Sequence, residues 1–249
     1  MSFLDEAQLE ELALWAELSD REVRSDLSIG AIKDENDYTS NFTSALRRNI
    51  NTYSESGLSA TSFLLQYPEE REMGADAAIV LSRGSESKVA VFEAKWPRFM
   101  KPNYPWDYEQ TATGLSHFSD QLERQRRWNF SLAVFEMFYT ESPPGTTSSY
   151  FNGEGSSCVW HDDAEEFRMN RHDPRAIWSQ DELKKLLSLK KVSIADVMKD
   201  FGLCNQGKPI AMTEPLEIGY EFRLPRNLLA IRAENEPPPA RRRLTRRTE

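Results

Sequence analysis

The sequence predicts an α/β domain with a central mixed sheet flanked by helices. Three observations carry that prediction. Two short apolar runs, Ala77-Ala78-Ile79-Val80-Leu81 and Val89-Ala90-Val91-Phe92, flank a polar turn and read as a hairpin of buried strands. Stretches with helical spacing lie on either side of that hairpin. A third apolar run, Ser131-Leu132-Ala133-Val134-Phe135 within 130–139, follows the second of these stretches and supplies a further core strand.

The elements follow in order. Residues 1–30 form an acidic, amphipathic segment read as helical, and residues 1–37 carry eleven acids against Arg21, Arg24 and Lys33. Next, Asp34-Glu35-Asn36-Asp37 leads into Phe42, Ala45, Leu46, Ile50 and Tyr53, one face of a helix with an acidic first turn. The hairpin turn spans Ser82 to Lys88. If it is symmetric about Gly84-Ser85, Asp76 stands opposite Glu93, and Gly74 stands opposite Lys95, where its missing side chain leaves space. Trp96-Pro97 ends the second arm. A helix then spans about Tyr108 to Trp128, with Tyr108, Ala112, Leu115, Phe118 and Leu122 as its apolar stripe.

Residues 141–157 are a loop by composition; they either separate a core at 31–140 from an extension of the same domain at 141–234 or form a long hairpin loop within one domain. In that extension Ser179-Gln180-Asp181-Glu182 is a capping box before Leu183, Leu186 and Leu187. A second short helix follows Ser193 with Ile194, Val197, Met198 and Phe201, and stops at Gly202. Leu216 to Leu224 alternates Ile218, Tyr220, Phe222 and Leu224, the pattern of a half-buried strand. Residues 235–249 are Pro-rich, then basic, without apolar period, and are expected to be disordered when free. That tail either adds non-specific affinity for DNA, or serves as a solubilising terminus or a contact to the acidic N-terminal segment.

The chemistry concentrates between Gly74 and Lys95. Strand side chains alternate faces, so Glu93 and Lys95 point one way, and Asp76, as the cross-strand partner of Glu93, joins them. Opposed Cβ atoms lie about 4.5–5.5 Å apart. Two carboxylates that close repel unless a cation sits between them. A hard divalent ion such as Mg²⁺ takes one or two carboxylates plus water and phosphate oxygens, and lowers the pKa of a bound water. Lys95 would orient or deprotonate that water, or stabilise the developing charge. Burial beside a metal favours its neutral amine.

Asp76 followed on the next strand by Glu93-Ala94-Lys95 resembles the signature of the PD-(D/E)XK nuclease superfamily, although Ala75 stands where the name-giving proline would be. The resemblance covers 74–95 closely and 35–139 loosely. It implies a restriction-endonuclease-like core and a DNA endonuclease leaving a 5′-phosphate and a 3′-hydroxyl. It also implies Mg²⁺, with Mn²⁺ substituting, held by Asp76, Glu93 and the carbonyl of Ala94. In this superfamily a helix before the hairpin often adds a Glu, for which Glu35 is the candidate and Asp37 the alternative. Some branches carry a Gln on the helix after the motif, for which Gln121 is the candidate and Gln110 the second choice. A bacterial or phage-defence role, restriction-like, follows by analogy alone. Cutting both strands implies a dimer, a higher oligomer or a partner subunit. A catalytically silent DNA-binding or assembly module, or a nuclease for RNA or branched DNA, are the competing expectations.

Lys101, Arg124, Arg126 and Arg127 are candidate phosphate contacts, and the three arginines equally suit a helix C-terminus. Trp96, Tyr104, Trp106 and Tyr108 form either an aromatic wall for an unstacked base or packing at the sheet edge. The net charge of −9 argues against a general nucleic-acid coat but not against a nuclease, whose cleft alone must be basic. Cys158 and Cys204, far apart in sequence, suggest a reducing cytoplasm. Cys158-Val159-Trp160-His161 lacks the second ligand pair of a structural zinc site. No apolar run reaches the roughly 20 residues of a membrane span, and the acidic start lacks the features of a signal peptide.

Overall fold

The computed structural model describes residues 2–66, 73–99, 101, 105–111, 113–141, 148, 150–153 and 155–234. Its centre is a mixed six-stranded open sheet in the order β1-β6-β2-β3-β4-β5. The strands are β1 (Leu58–Leu64), β2 (Ala77–Arg83), β3 (Glu86–Lys95), β4 (Ala133–Phe138), β5 (Ser157–Trp160) and β6 (Asn227–Ala233). The β2·β6 and β3·β4 pairs are parallel and the others antiparallel. Seven helices cover the sheet among the described residues: α1 (Glu6–Ser28), α2 (Glu35–Tyr53), α3 (His117–Gln125), α4 (His161–Met169), α5 (Gln180–Lys190), α6 (Ile194–Gly202) and α7 (Pro215–Glu221).

The strand faces explain the layering. Ala90, Phe92 and Ala94 of β3 join Phe42 and Leu46 of α2, Leu12 and Ala16 of α1, and Val197 and Phe201 of α6 in one core. Val89 and Val91 face the opposite way, toward Val134, Ile218 and Leu224. Nearer the β5 edge that second face is closed by Phe118 and Leu122 of α3, Ala164 of α4, and Leu183 and Leu187 of α5. Strands buried on both sides read as continuous apolar runs, which is why β2 and β3 stood out in the sequence. The acidic N-terminal segment places Leu9, Leu12, Ala16, Val23 and Leu27 in the first core, so its helix belongs to the layer that covers the sheet.

The hairpin register matches the expectation: Ala77 pairs with Phe92, and one step outward Asp76 N donates to the Phe92 carbonyl at 2.8 Å. The arms are longer than expected. Ser82↔Ser87 and Arg83↔Glu86 still pair, leaving a two-residue turn at Gly84-Ser85. Gly84 takes φ +60°, which a tight turn demands and an L side chain resists. The polar residues at 82–88 therefore extend the strands rather than form a loop. The helices capped by Asp34, Ser179 and Ser193 lie where the sequence places them, and the latter two carry complete capping boxes.

Two expectations are corrected. The helix after the motif begins at His117, not near Tyr108. Gly114 at φ +66°, with Thr113 N and Gly114 N both bonded to the Gln110 carbonyl, breaks the earlier stripe, of which Ala112 lies outside the described residues. The Asp107 carboxylate then anchors the true start by accepting from Ser116 Oγ (2.6 Å), Phe118 N (3.0 Å) and Trp178 N (2.9 Å). Residues 216–224 are not a strand. Pro215 opens α7, Ile218 and Gly219 face inward, and Tyr220 is exposed, so the alternation reflects no sheet face. The strand of this region is β6, inserted between β1 and β2.

Strands β1 and β5 and helix α4 also form where the sequence raised no expectation. Within 141–157 only some residues are described, and the 235–249 tail lies outside the described residues. Among the described residues no helix is long and apolar enough to cross a membrane.

Candidate active site

The site sits where the C-terminal end of β3 meets the start of β2, on the sheet face that α3 covers. Asp76, one residue before β2, accepts a hydrogen bond from Ala94 N at Oδ2 (2.8 Å). In an extended strand a residue's N–H and C=O face the same edge, so the Ala94 carbonyl is directed toward Asp76 as well. Glu93 and Lys95 are each 5% exposed, and Lys95 Nζ donates to Glu93 Oε1 at 2.6 Å. The side chain of Gln121, from the second turn of α3, donates Nε2–H to the same Oε1, while its own Oε1 is buried without a partner.

The approach of α3 is close because of Gly74. It adopts φ +69°, and a Cβ there would meet the Gln121 carbonyl at 3.2 Å. Its carbonyl accepts from Gln125 Nε2 at 2.5 Å. The space opposite Lys95 is thus filled by a helix. Glu35, in the first turn of α2, reaches the strand end and accepts from Trp96 N at 2.9 Å. Asp37 turns instead to the backbone of Lys33, so Glu35 is the acidic residue of α2 that joins the site. Gln110 donates to Asp120 at 3.1 Å and lines the cleft without reaching Glu93.

A fourth carboxyl enters from β4. Glu136 pairs in parallel register with Glu93 and is fully buried. Neither of its oxygens has a well-formed hydrogen bond, though Gln125 stands close by. Burial, and then the charge of Glu93, hold both the Asp76 and Glu136 carboxyls well above the usual carboxylate range. Burial pulls the Lys95 amine down, but Glu93, Glu35 and Asp76 together push it above its ordinary value. The neutral amine expected of Lys95 belongs to a metal-bound site, where a cation would offset those same carboxylates.

The cleft has two lobes. One, of about 700 Å³, is lined by Asp76, Glu93, Gln121, Arg124, Arg226 and Asn36 among others. The other, of about 330 Å³, includes Glu35, Glu93, Lys95, Trp96 and Arg98. Glu93, Tyr108 and His117 line both. Tyr108 and His117 stack with centroids 4.5 Å apart and planes at 18°. Burial, then the charge of Lys95, draws the His117 imidazole below its ordinary range, toward the neutral ring.

The candidate phosphate contacts separate in space. Arg124 lines the larger lobe while pairing with Asp120 at 3.0 Å. Arg126 is exposed and its charge acts on His161 and Glu165, and Arg127 lies over the Trp128 ring at 5.1 Å. Lys101 is exposed beyond the smaller lobe, with its N–H bonded to the Arg98 carbonyl. Of the aromatic group, Trp106 packs in the core with Phe118, Phe138 and Trp178. Trp96 carries Arg98 over its ring at 4.0 Å, Tyr108 is 54% exposed, and Tyr104 lies outside the described residues. Glu136 and His117 were the omissions of the sequence reading. The signal for Glu136 was a charge within the apolar run Val134-Phe135-Glu136-Met137.

Comparison with protein-family models, curated proteins and solved structures finds no match to this chain. The chemistry is therefore read from the geometry of the site itself.

Proposed function

We propose that the protein is a divalent-metal-dependent endonuclease of the PD-(D/E)XK type acting on DNA. The observation that carries the reading is the convergence of Asp76, Glu93, Lys95, Glu35 and Gln121 on the floor of an open two-lobed cleft. The order α2, hairpin β2–β3, crossover helix α3 and parallel strand β4 supports a restriction-endonuclease-like core.

The residues suit a metal. Four carboxyls, from Glu35, Asp76, Glu93 and Glu136, lie around the amine of Lys95, and Glu136 has no well-formed hydrogen bond. That surplus of buried negative potential favours a bound cation. Among the described residues no group of three or more His, Cys, Asp or Glu is placed to hold a metal ion by itself. An ion that takes one or two carboxylates and fills its remaining positions with water and phosphate oxygens needs none. Asp76, Glu93 and the Ala94 carbonyl would hold Mg²⁺, with Mn²⁺ substituting. Bound there, it would supply an activated water and neutralise phosphate charge.

The protein's own groups do the rest. Lys95 would orient or deprotonate the attacking water, or serve as a fixed positive charge for the phosphorane. Gln121 orients Glu93, and Glu35 fixes the end of β3 through Trp96 N. A silent DNA-binding module is the second reading. It is favoured by one observation: Glu93 Oε1 is already shared by Lys95 and Gln121. Nicking of supercoiled plasmid separates the two. The nuclease reading expects Mg²⁺-dependent cleavage by wild type that EDTA and Glu93→Ala abolish. Binding without cleavage by wild type, in Mg²⁺ and in Mn²⁺, would establish the silent module. A restriction-like defensive role and action as a dimer belong to the same proposal.

A further inference from the structure

The partition between the two lobes of the cleft is a stacked aromatic pair. Tyr108 is 54% exposed although it lies at the mouth of the catalytic cleft. His117 covers one face of its ring. The backing is rigid: His117 is the first residue of α3, its N–H bonds to the Tyr108 carbonyl at 2.9 Å, and Asp107 pins both the preceding Ser116 and the following Phe118. The neighbouring aromatic Trp106 is spent in the core. Tyr108 is thus held at the border of both lobes while its ring stays open to solvent.

We infer that Tyr108, backed by His117, is a stacking platform for an unpaired base next to the scissile phosphate, so that the substrate is single-stranded or locally unpaired DNA. The inference rests on the nuclease reading of the same cleft and narrows its substrate. Three features favour an unpaired strand over a duplex. Stacking requires a free π-face, which a base inside a helix does not offer. Tyr108, His117 and Glu93 line both lobes together, so a base on the platform belongs to a nucleotide near the reacting phosphate. The larger lobe carries Arg124 and Arg226 with Asn36 and Asn227, groups that suit a backbone passing on from the platform. An already unpaired base avoids the unstacking cost that a duplex would impose.

The test uses the full chain, EDTA to prevent cleavage, and a single-stranded oligonucleotide containing 2-aminopurine, at fixed low salt. Wild type is expected to quench the probe on binding and to prefer it to the corresponding duplex. Tyr108→Ala should lose the quenching and bind the single strand about tenfold more weakly or worse. Tyr108→Phe and Tyr108→Trp should retain both properties. The side chain is exposed, so far-ultraviolet circular dichroism and melting should match wild type in all three. Unchanged quenching and affinity in Tyr108→Ala, a preference of wild type for duplex, or no quenching by wild type would each overturn the platform. If wild type stacks the probe yet cuts no DNA with Mg²⁺, the nuclease reading fails and the platform stands. If wild type cuts with Mg²⁺ and Tyr108→Ala binds and quenches as wild type does, the platform alone fails.

Discussion

Strand β3 buries two lysines, Lys88 near one end and Lys95 at the other, and their surroundings are opposite. Lys88 is fully buried on the face that packs against α6, where its Nζ donates to the Phe201 carbonyl and, at 2.9 Å, to the Gln206 carbonyl. The Phe201 ring lies 4.9 Å from it. Lys95, on the other face, is held among Glu93, Glu35 and Asp76 and opens onto the cleft. Burial pulls the Lys88 amine below its ordinary value, opposed only in part by the nearby Cys204 thiol. The carboxylates around Lys95 more than reverse the same pull. Burial of a lysine is therefore not itself a mark of function. What matters is whether its partners are spent within the fold, as carbonyls closing a helix end are, or form an excess of charge that a ligand can balance.

The comparison is strained hardest by removing charge around Lys95. Asp76→Asn takes away a carboxylate of the proposed metal site and should lower Mg²⁺-dependent cleavage by about 10³-fold, equivalent to about 4 kcal/mol. Any rise in melting temperature that Mg²⁺ gives wild type should disappear with it. Cleavage and melting that stay at wild-type levels would separate Asp76 from the metal. Gln121→Ala removes the group that orients Glu93. Cleavage should fall about 10- to 100-fold with little change in fold, measured under single-turnover conditions.

Lys88→Met is expected to act on the other side of the comparison. The Phe201 and Gln206 carbonyls lose their donor, which costs about 2 kcal/mol, or roughly 4–8 °C of melting temperature for a chain of this size. Cleavage per folded molecule should be unchanged, as paired melting and activity assays would show.

The smallest effect is one of pH. His161 is 1% exposed, with Nδ1 3.2 Å from Gln125 Oε1. Burial lowers its folded-state pKa, opposed in part by Glu165 and Asp162. A histidine whose folded pKa lies below the unfolded value of about 6.5 gives stability that is present above that value. That stability is lost as pH falls through the folded pKa. Melting temperature should therefore decline on acidification from pH 7, and the decline should be shallower in His161→Gln. Parallel slopes would mean that His161 does not titrate on unfolding.

The hairpin, its register and the triad were legible because they are local. Apolar runs fixed the arms, Gly84 marked the turn, and the pleat made Asp76, Glu93 and Lys95 share a face. The helices capped by Asp34, Ser179 and Ser193 were legible for the same reason. What escaped depends on contacts distant in sequence. Strand β6 is a short apolar run, Leu228 to Ile231, whose central place follows from pairing with β1 and β2. Glu136 becomes part of the site only through its parallel register with Glu93, set by the crossover through α3. The start of α3 is governed by Asp107 and by a bond from Ser116 N to the Arg175 carbonyl, more than fifty residues away. The upward pull of Glu35 on the Lys95 amine required knowing that Glu35 arrives from another helix.

The most direct test sets the two lysines side by side: single-turnover Mg²⁺-dependent cleavage by Lys95→Met and by Lys88→Met, each corrected for its folded fraction. The account predicts that Lys88→Met cuts at the wild-type rate, while Lys95→Met falls by about 10²-fold or more, as loss of a group acting on transition-state charge should cause. Equal rates for the two variants at equal folded fraction, whether both active or both silent, would contradict it.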